Sequence, residues 1–147
     1  MGASGWSYFV PYQPDLNEAL TVLREKVFAE GDYWWVGGEF GKPASAYPNR
    51  PATLEDLYAD EAVQELGTHS ILDMFQVLAD GEQPDYGTVE PVTRAEALTC
   101  AGTELLTREH VDAIDDLVRG RWLGRCAVLH DEDGQPNEIY FWGYSGD

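Results

Sequence analysis

The chain has 147 residues, with 27 Asp and Glu against 9 Lys and Arg, a formal charge of -18 and 44% hydrophobic residues. That length and apolar content fit one folded domain over 1–147, and 5 Trp, 8 Tyr and 5 Phe exclude a wholly disordered acidic chain, which is poor in aromatics. Binding to phosphates runs on clustered Lys and Arg, and 9 cations against 27 acids are too few for it, so neither double-stranded nucleic acid nor an anionic membrane is an expected partner.

The first element in the chain is a strand over 7–13, where aromatic and β-branched residues gather and Pro11 marks an edge position. Asp15, with Glu18 three residues on, then opens a helix in which Leu16, Leu20, Leu23 and Val27 form one stripe, and Gly31 ends it. Tyr33, Trp34, Trp35 and Val36 make an aromatic run. Over 37–52 follow Gly37, Gly38, Gly41, Pro43, Pro48 and Pro51 without periodicity, a long loop that also carries Phe40 and Tyr47. Thr53 caps a helix over 54–66 that stops at Gly67. His69 to Leu78 is apolar on both alternating faces except at Asp73 and Gln76, the pattern of a central strand.

Residues 80–88 are turn-rich, Thr93 and Glu96 form a capping box for a short helix broken by Gly102, and Thr107 starts another helix with Val111, Ile114, Leu117 and Val118 along one side. The chain closes on a hairpin, 122–130 with 138–144, turned by Asp133-Gly134. This order predicts an α+β fold: a mostly antiparallel or mixed sheet of about four strands, helices on one face, and a C-terminal β-hairpin.

The charge is uneven. Between Arg50 and Arg94 there is no Lys or Arg, yet ten acids fall there, five of them (Glu55, Asp56, Asp60, Glu61, Glu65) on the predicted helix over 54–66. In one continuous helix Asp56/Asp60 and Glu61/Glu65 are like charges four apart, destabilising by about 0.2–0.5 kcal/mol per pair. The helix after Thr107 is different, because Arg108/Asp112 and Asp115/Arg119 set opposite charges at that spacing. The acidic segment reads either as a solvated face that aids solubility or as a surface for a basic partner.

Residues suited to chemistry are few. Arg119, Arg121 and Arg125 form the one basic cluster, able to hold a small carboxylate or to pair with the chain's own acids. Asp73, set among apolar residues, faces solvent, meets a buried cation, or works as an acid or base with a raised pKa. The three histidines and two cysteines have no ligand spacing, and no nucleophile motif or phosphate loop occurs, so no metal, cofactor or catalytic residue is expected.

Two functional readings follow. In the first, the chain is a non-enzymatic interaction domain whose acids Glu55, Asp56, Asp60, Glu61 and Glu65 and aromatics Trp34, Trp35 and Tyr47 engage a basic protein partner. Element order and acidity are of the kind seen in small immunity or antitoxin proteins, a likeness of class and not of motif. In the second, it is a small-molecule-binding protein or enzyme with a pocket under the 37–51 loop, lined by Asp73, Arg121, Arg125 and aromatics. Cys100 and Cys126 are too few for a disulfide framework, no apolar run is long enough to span a membrane, and the start lacks signal-peptide features, so a cytoplasmic location is expected.

Overall fold

A computed structural model of the protein describes residues 4–35, 37–38 and 42–146. Val36, Phe40 and Gly41, expected in the aromatic run and the loop, lie outside the described residues. Among the described residues five strands form one sheet: β1 (Gly5–Pro11), β2 (Gln76–Val77), β3 (Thr88–Pro91), β4 (Leu123–His130) and β5 (Pro136–Tyr144), in the order β1-β5-β4-β3-β2. The β1/β5 and β4/β5 pairs are antiparallel, and β3 is parallel to both of its neighbours, so the sheet is mixed. The expected edge strand and the C-terminal hairpin are both present. In the hairpin turn Asp131 Oδ1 accepts from the amides of Asp133 and Gln135, and Gly134 supplies a φ of 78°.

Among the described residues five α-helices accompany the sheet: α1 (Leu16–Glu30), α2 (Leu54–Tyr58), α3 (Glu61–Leu66), α4 (Arg94–Ala101) and α5 (Val111–Ile114). In α1 the Asp15 side chain accepts from the Glu18 amide at 3.1 Å, Leu20, Leu23 and Val27 are buried, and Gly31 ends the helix in the left-handed region. A Cβ on Gly31 would stand 2.7 Å from the Ser45 amide nitrogen, so the helix stop doubles as a close contact with the following loop.

Helices lie on both faces of the sheet, where one face was expected. Successive residues of β4 and β5 are apolar, so each strand buries both its sides. Cys126, Ile139 and Phe141 join Trp6 and the apolar stripe of α1 in one core, which also takes in Leu57 of α2 and Val63 of α3. Ala127, Leu129, Tyr140 and Trp142 form a second core against Ala97 of α4 and Ile114 of α5.

Three further expectations change. The segment over 69–78 is not a central strand: Ser70 caps a 3-10 turn over Ile71–Asp73, and only Gln76–Val77 joins the sheet, at its edge. Ile71, Leu72 and Met74 are apolar because they plug the first core from a turn, which a short apolar run cannot distinguish from a buried strand. The inner parallel position belongs instead to β3, taken from the end of the turn-rich stretch. The helix over 54–66 is two helices, broken at Ala59 and Asp60. Asp60 leaves helical geometry to accept the Ala62 amide as the N-cap of α3, and Gln64 Nε2 holds the Tyr58 carbonyl at 2.7 Å. Finally, the arginines around α5 do not pair along their own helix. Arg108 reaches Glu138 on β5 and Arg119 reaches Glu90 on β3.

The β2 edge is closed by a side chain. Asn17 on α1 accepts from the Val77 amide at 2.8 Å and donates to the Val77 carbonyl at 3.4 Å, taking the place of a neighbouring strand.

Candidate functional site

The two-helix unit α2–α3 presents its acids outward. Glu55, Asp56, Glu61 and Glu65 are exposed and Asp60 is half-buried at its cap. None of the four exposed acids enters a salt bridge among the described residues. The same unit contributes Tyr58, Val63 and the exposed Gln64 to a cavity of about 370 Å³, completed by Asp73, Phe75 and Trp122. Phe75 is 56% exposed, large for an aromatic side chain that also packs on Tyr58, with ring centroids 5.3 Å apart. Arg24 of α1 lies over both rings, 5.2 Å from the Phe75 centroid and 5.9 Å from that of Tyr58, and donates to the Tyr58 hydroxyl at 2.7 Å.

Asp73 is 3% exposed and makes no salt bridge with a Lys or Arg among the described residues. Its Oδ1 accepts from the Thr68 amide at 2.7 Å and the Thr68 hydroxyl at 2.9 Å, and its Oδ2 accepts from the Ser145 hydroxyl at 2.7 Å. Burial pushes its carboxyl above the ordinary aspartate range, and these three bonds, with the electrostatic pull of His69, only partly offset that. Gly67 makes room for it, since a Cβ there would come within 2.7 Å of Oδ2.

Two non-glycine residues beside this network take left-handed backbone, His69 at φ 54° and Trp122 at φ 63°. Trp122 is held there from both sides: its amide donates to the Tyr144 carbonyl at 3.1 Å, and its carbonyl accepts from the Gly87 amide at 2.8 Å. An aromatic residue in that region is strained unless the surroundings fix it, and here they aim it at the cavity.

The other expected site residues fall elsewhere. Arg125, 1% exposed, lies on the α4 face of the sheet. Nε donates to the Glu90 carbonyl, Nη1 to Glu96 and the Leu117 carbonyl, and Nη2 to Glu96 and the Pro91 carbonyl, so all five of its hydrogens have acceptors. Burial would raise the Glu96 carboxyl, but the bonds from Arg125 and the Thr93 amide outweigh it and hold the group below the ordinary glutamate range. Arg121 is exposed and does not line the Asp73 cavity.

Trp34, Trp35 and Tyr47 are half-buried. Trp35 meets Tyr47 edge-on at 6.3 Å, and Trp34 meets His69 edge-on at 5.2 Å. Trp34 walls a different cavity of about 360 Å³ with Asp32, Tyr33, Lys42, Pro43 and His69, next to the loop but without Asp73 or either arginine. The Cys126 thiol is pushed up to about 12 by burial and is inert. Among the described residues no helix is long and apolar enough to cross a membrane, and no three His, Cys, Asp or Glu side chains gather as a metal site.

The fold and site define an acidic α+β domain with a mixed five-stranded sheet and an aromatic cavity between α2–α3 and the start of β4. Compared with known proteins, the chain matches no family model, no curated protein and no solved structure.

Proposed function

We propose that the protein is a non-enzymatic interaction domain that binds a basic protein partner through the acidic surface of α2 and α3. The observation that carries this is the pairing of opposite characters on one short unit: four exposed carboxylates without ion pairs among the described residues, backed by the aromatic cavity that Tyr58 and Val63 help to form. Unpaired surface charge of one sign speeds encounter with an opposite surface, and a desolvated aromatic centre supplies binding energy. Trp34, Trp35 and Tyr47 line no part of this cavity, so Phe75 and Trp122 take the anchoring role in the proposal. The alternative, a ligand pocket uniting Asp73 with Arg121 and Arg125, gains no support, because Arg125 is fully bonded on the opposite face of the sheet.

The proposal places the protein in the cytoplasm, as a neutraliser of the immunity or antitoxin kind acting on a cationic protein, with no role in binding double-stranded nucleic acid. The test is capture of binding proteins by the immobilised chain at low and high salt, beside a variant carrying Glu55→Lys, Glu61→Lys and Glu65→Lys. Asp60 is left in place because it caps α3. Recovery of a basic protein at low salt, lost at high salt and lost with the variant, supports the proposal. Recovery that the variant leaves unchanged overturns it.

A further inference from the structure

We propose that the cavity bounded by Tyr58, Phe75, Trp122 and Asp73 is a receptor for an arginine side chain of the partner, its guanidinium stacked on the rings and bonded to the Asp73 carboxylate. This rests on the partner reading above and names the group that enters the site. Three observations converge on a guanidinium.

Phe75 and Tyr58 already attract one within the chain, since Arg24 lies over both rings, so their faces favour a flat cation. Asp73 receives three hydrogen bonds, two on Oδ1 and one on Oδ2, which leaves Oδ2 further acceptor capacity at a buried carboxylate that no Lys or Arg salt bridge reaches among the described residues and that is favoured electrostatically by His69 alone. A cation brought there would offset the burial that raises its pKa. Apart from Gln64, the rest of the cavity wall is aromatic or aliphatic, with Val63 beside the rings, and so suits the aliphatic stem behind a guanidinium head. Charge complementarity selects a cation over a neutral apolar group, because the cavity lining includes Asp73 and the helix that supplies Val63 and Gln64 also exposes Glu61 and Glu65.

The test uses the full chain and two small probes of the same shape, n-propylguanidinium and the neutral n-propylurea, followed by NMR of the tryptophan indole N–H signals at fixed ionic strength. The Trp122 signal is assigned with Trp122→Phe. The proposal predicts a saturable shift of the Trp122 signal with propylguanidinium and none with propylurea at equal concentration. Asp73→Asn weakens that binding by about tenfold or more, as loss of a charged hydrogen bond requires. If Asp73→Asn does not fold, Phe75→Leu serves instead, because its side chain is largely exposed, and it also weakens binding.

Equal shifts with both probes, or no saturable shift with either, overturn the arginine receptor. The outcome is separable from that of the partner reading. Propylguanidinium binding without a charge-dependent partner leaves the receptor standing and removes the acidic-surface proposal; a charge-dependent partner without propylguanidinium binding does the reverse.

Discussion

Arg125 and Asp73 are two buried charges with opposite solutions. Arg125 places every guanidinium hydrogen on an acceptor, joining β4 to the end of β3, to Glu96 of α4 and to the turn after α5. Replacement by Met strands those acceptors, so Arg125→Met lowers stability by about 3–5 kcal/mol in urea unfolding. Because Glu96 titrates below its ordinary value when folded, its contribution is full above an ordinary glutamate pKa and is lost as pH falls through the lowered value; Arg125→Met reduces that acid dependence to what the Thr93 bonds sustain. Asp73 runs the other way. Its folded pKa is raised, so it weighs against the folded state at neutral pH, and that penalty lifts as pH falls from the raised value to the ordinary aspartate value. Unfolding measured across that window should show the wild type gaining stability relative to Asp73→Asn as pH drops. An unchanged difference would contradict a charged, buried Asp73. Neither role was visible in the residues alone: an acid amid apolar neighbours marks a special position, but whether hydroxyls or a cation meet it depends on Ser145, 72 positions away.

Among the elements, caps and turns were legible because their signals are local. Asp15, Thr93, Gly102 and the Asp131 to Gly134 turn all act as their sequence neighbourhoods predicted. Features set by distant partners were not. The apolar stretch over 69–78 reads as a strand because every side is buried, yet it closes the core as a turn. Likewise, charge spacing suggested that the helix after Thr107 balances itself, whereas Arg108 and Arg119 find their acids on the sheet. The break between α2 and α3 had a local cause that was present in the sequence, since Asp60 is a strong capping residue and a straight helix would stack it on Asp56. Asp60→Ala should therefore destabilise by about 1 kcal/mol, read from the urea midpoint. Asn17→Ala, which uncovers the Val77 amide and carbonyl at the β2 edge, should have an effect of about 1 kcal/mol and increase self-association of the chain.

For the whole molecule, the division of charge and core explains how an excess of acids is tolerated. The α4–α5 side uses its arginines internally, on Glu90, Glu96 and Glu138, while α2 and α3 leave four acids outward beside a cavity of their own making. Charge was legible as a run without Lys or Arg; the cavity was not, because Phe75 and Trp122 come from segments 47 positions apart and meet Tyr58 only through the fold. Reversing Glu55, Glu61 and Glu65 to Lys should change stability by less than about 1 kcal/mol, since these side chains make no ion pairs among the described residues. Association with a basic partner should weaken steeply with salt, as the screening length shrinks from about 10 Å at 0.1 M. The central claim is that α2, α3 and the adjoining cavity form the binding surface. The most direct measurement is amide hydrogen exchange of the protein with and without its captured partner: protection is predicted over residues 54–66, at Phe75 and around Trp122. Protection confined to α4 and α5, or to the free edge of β1, would contradict it.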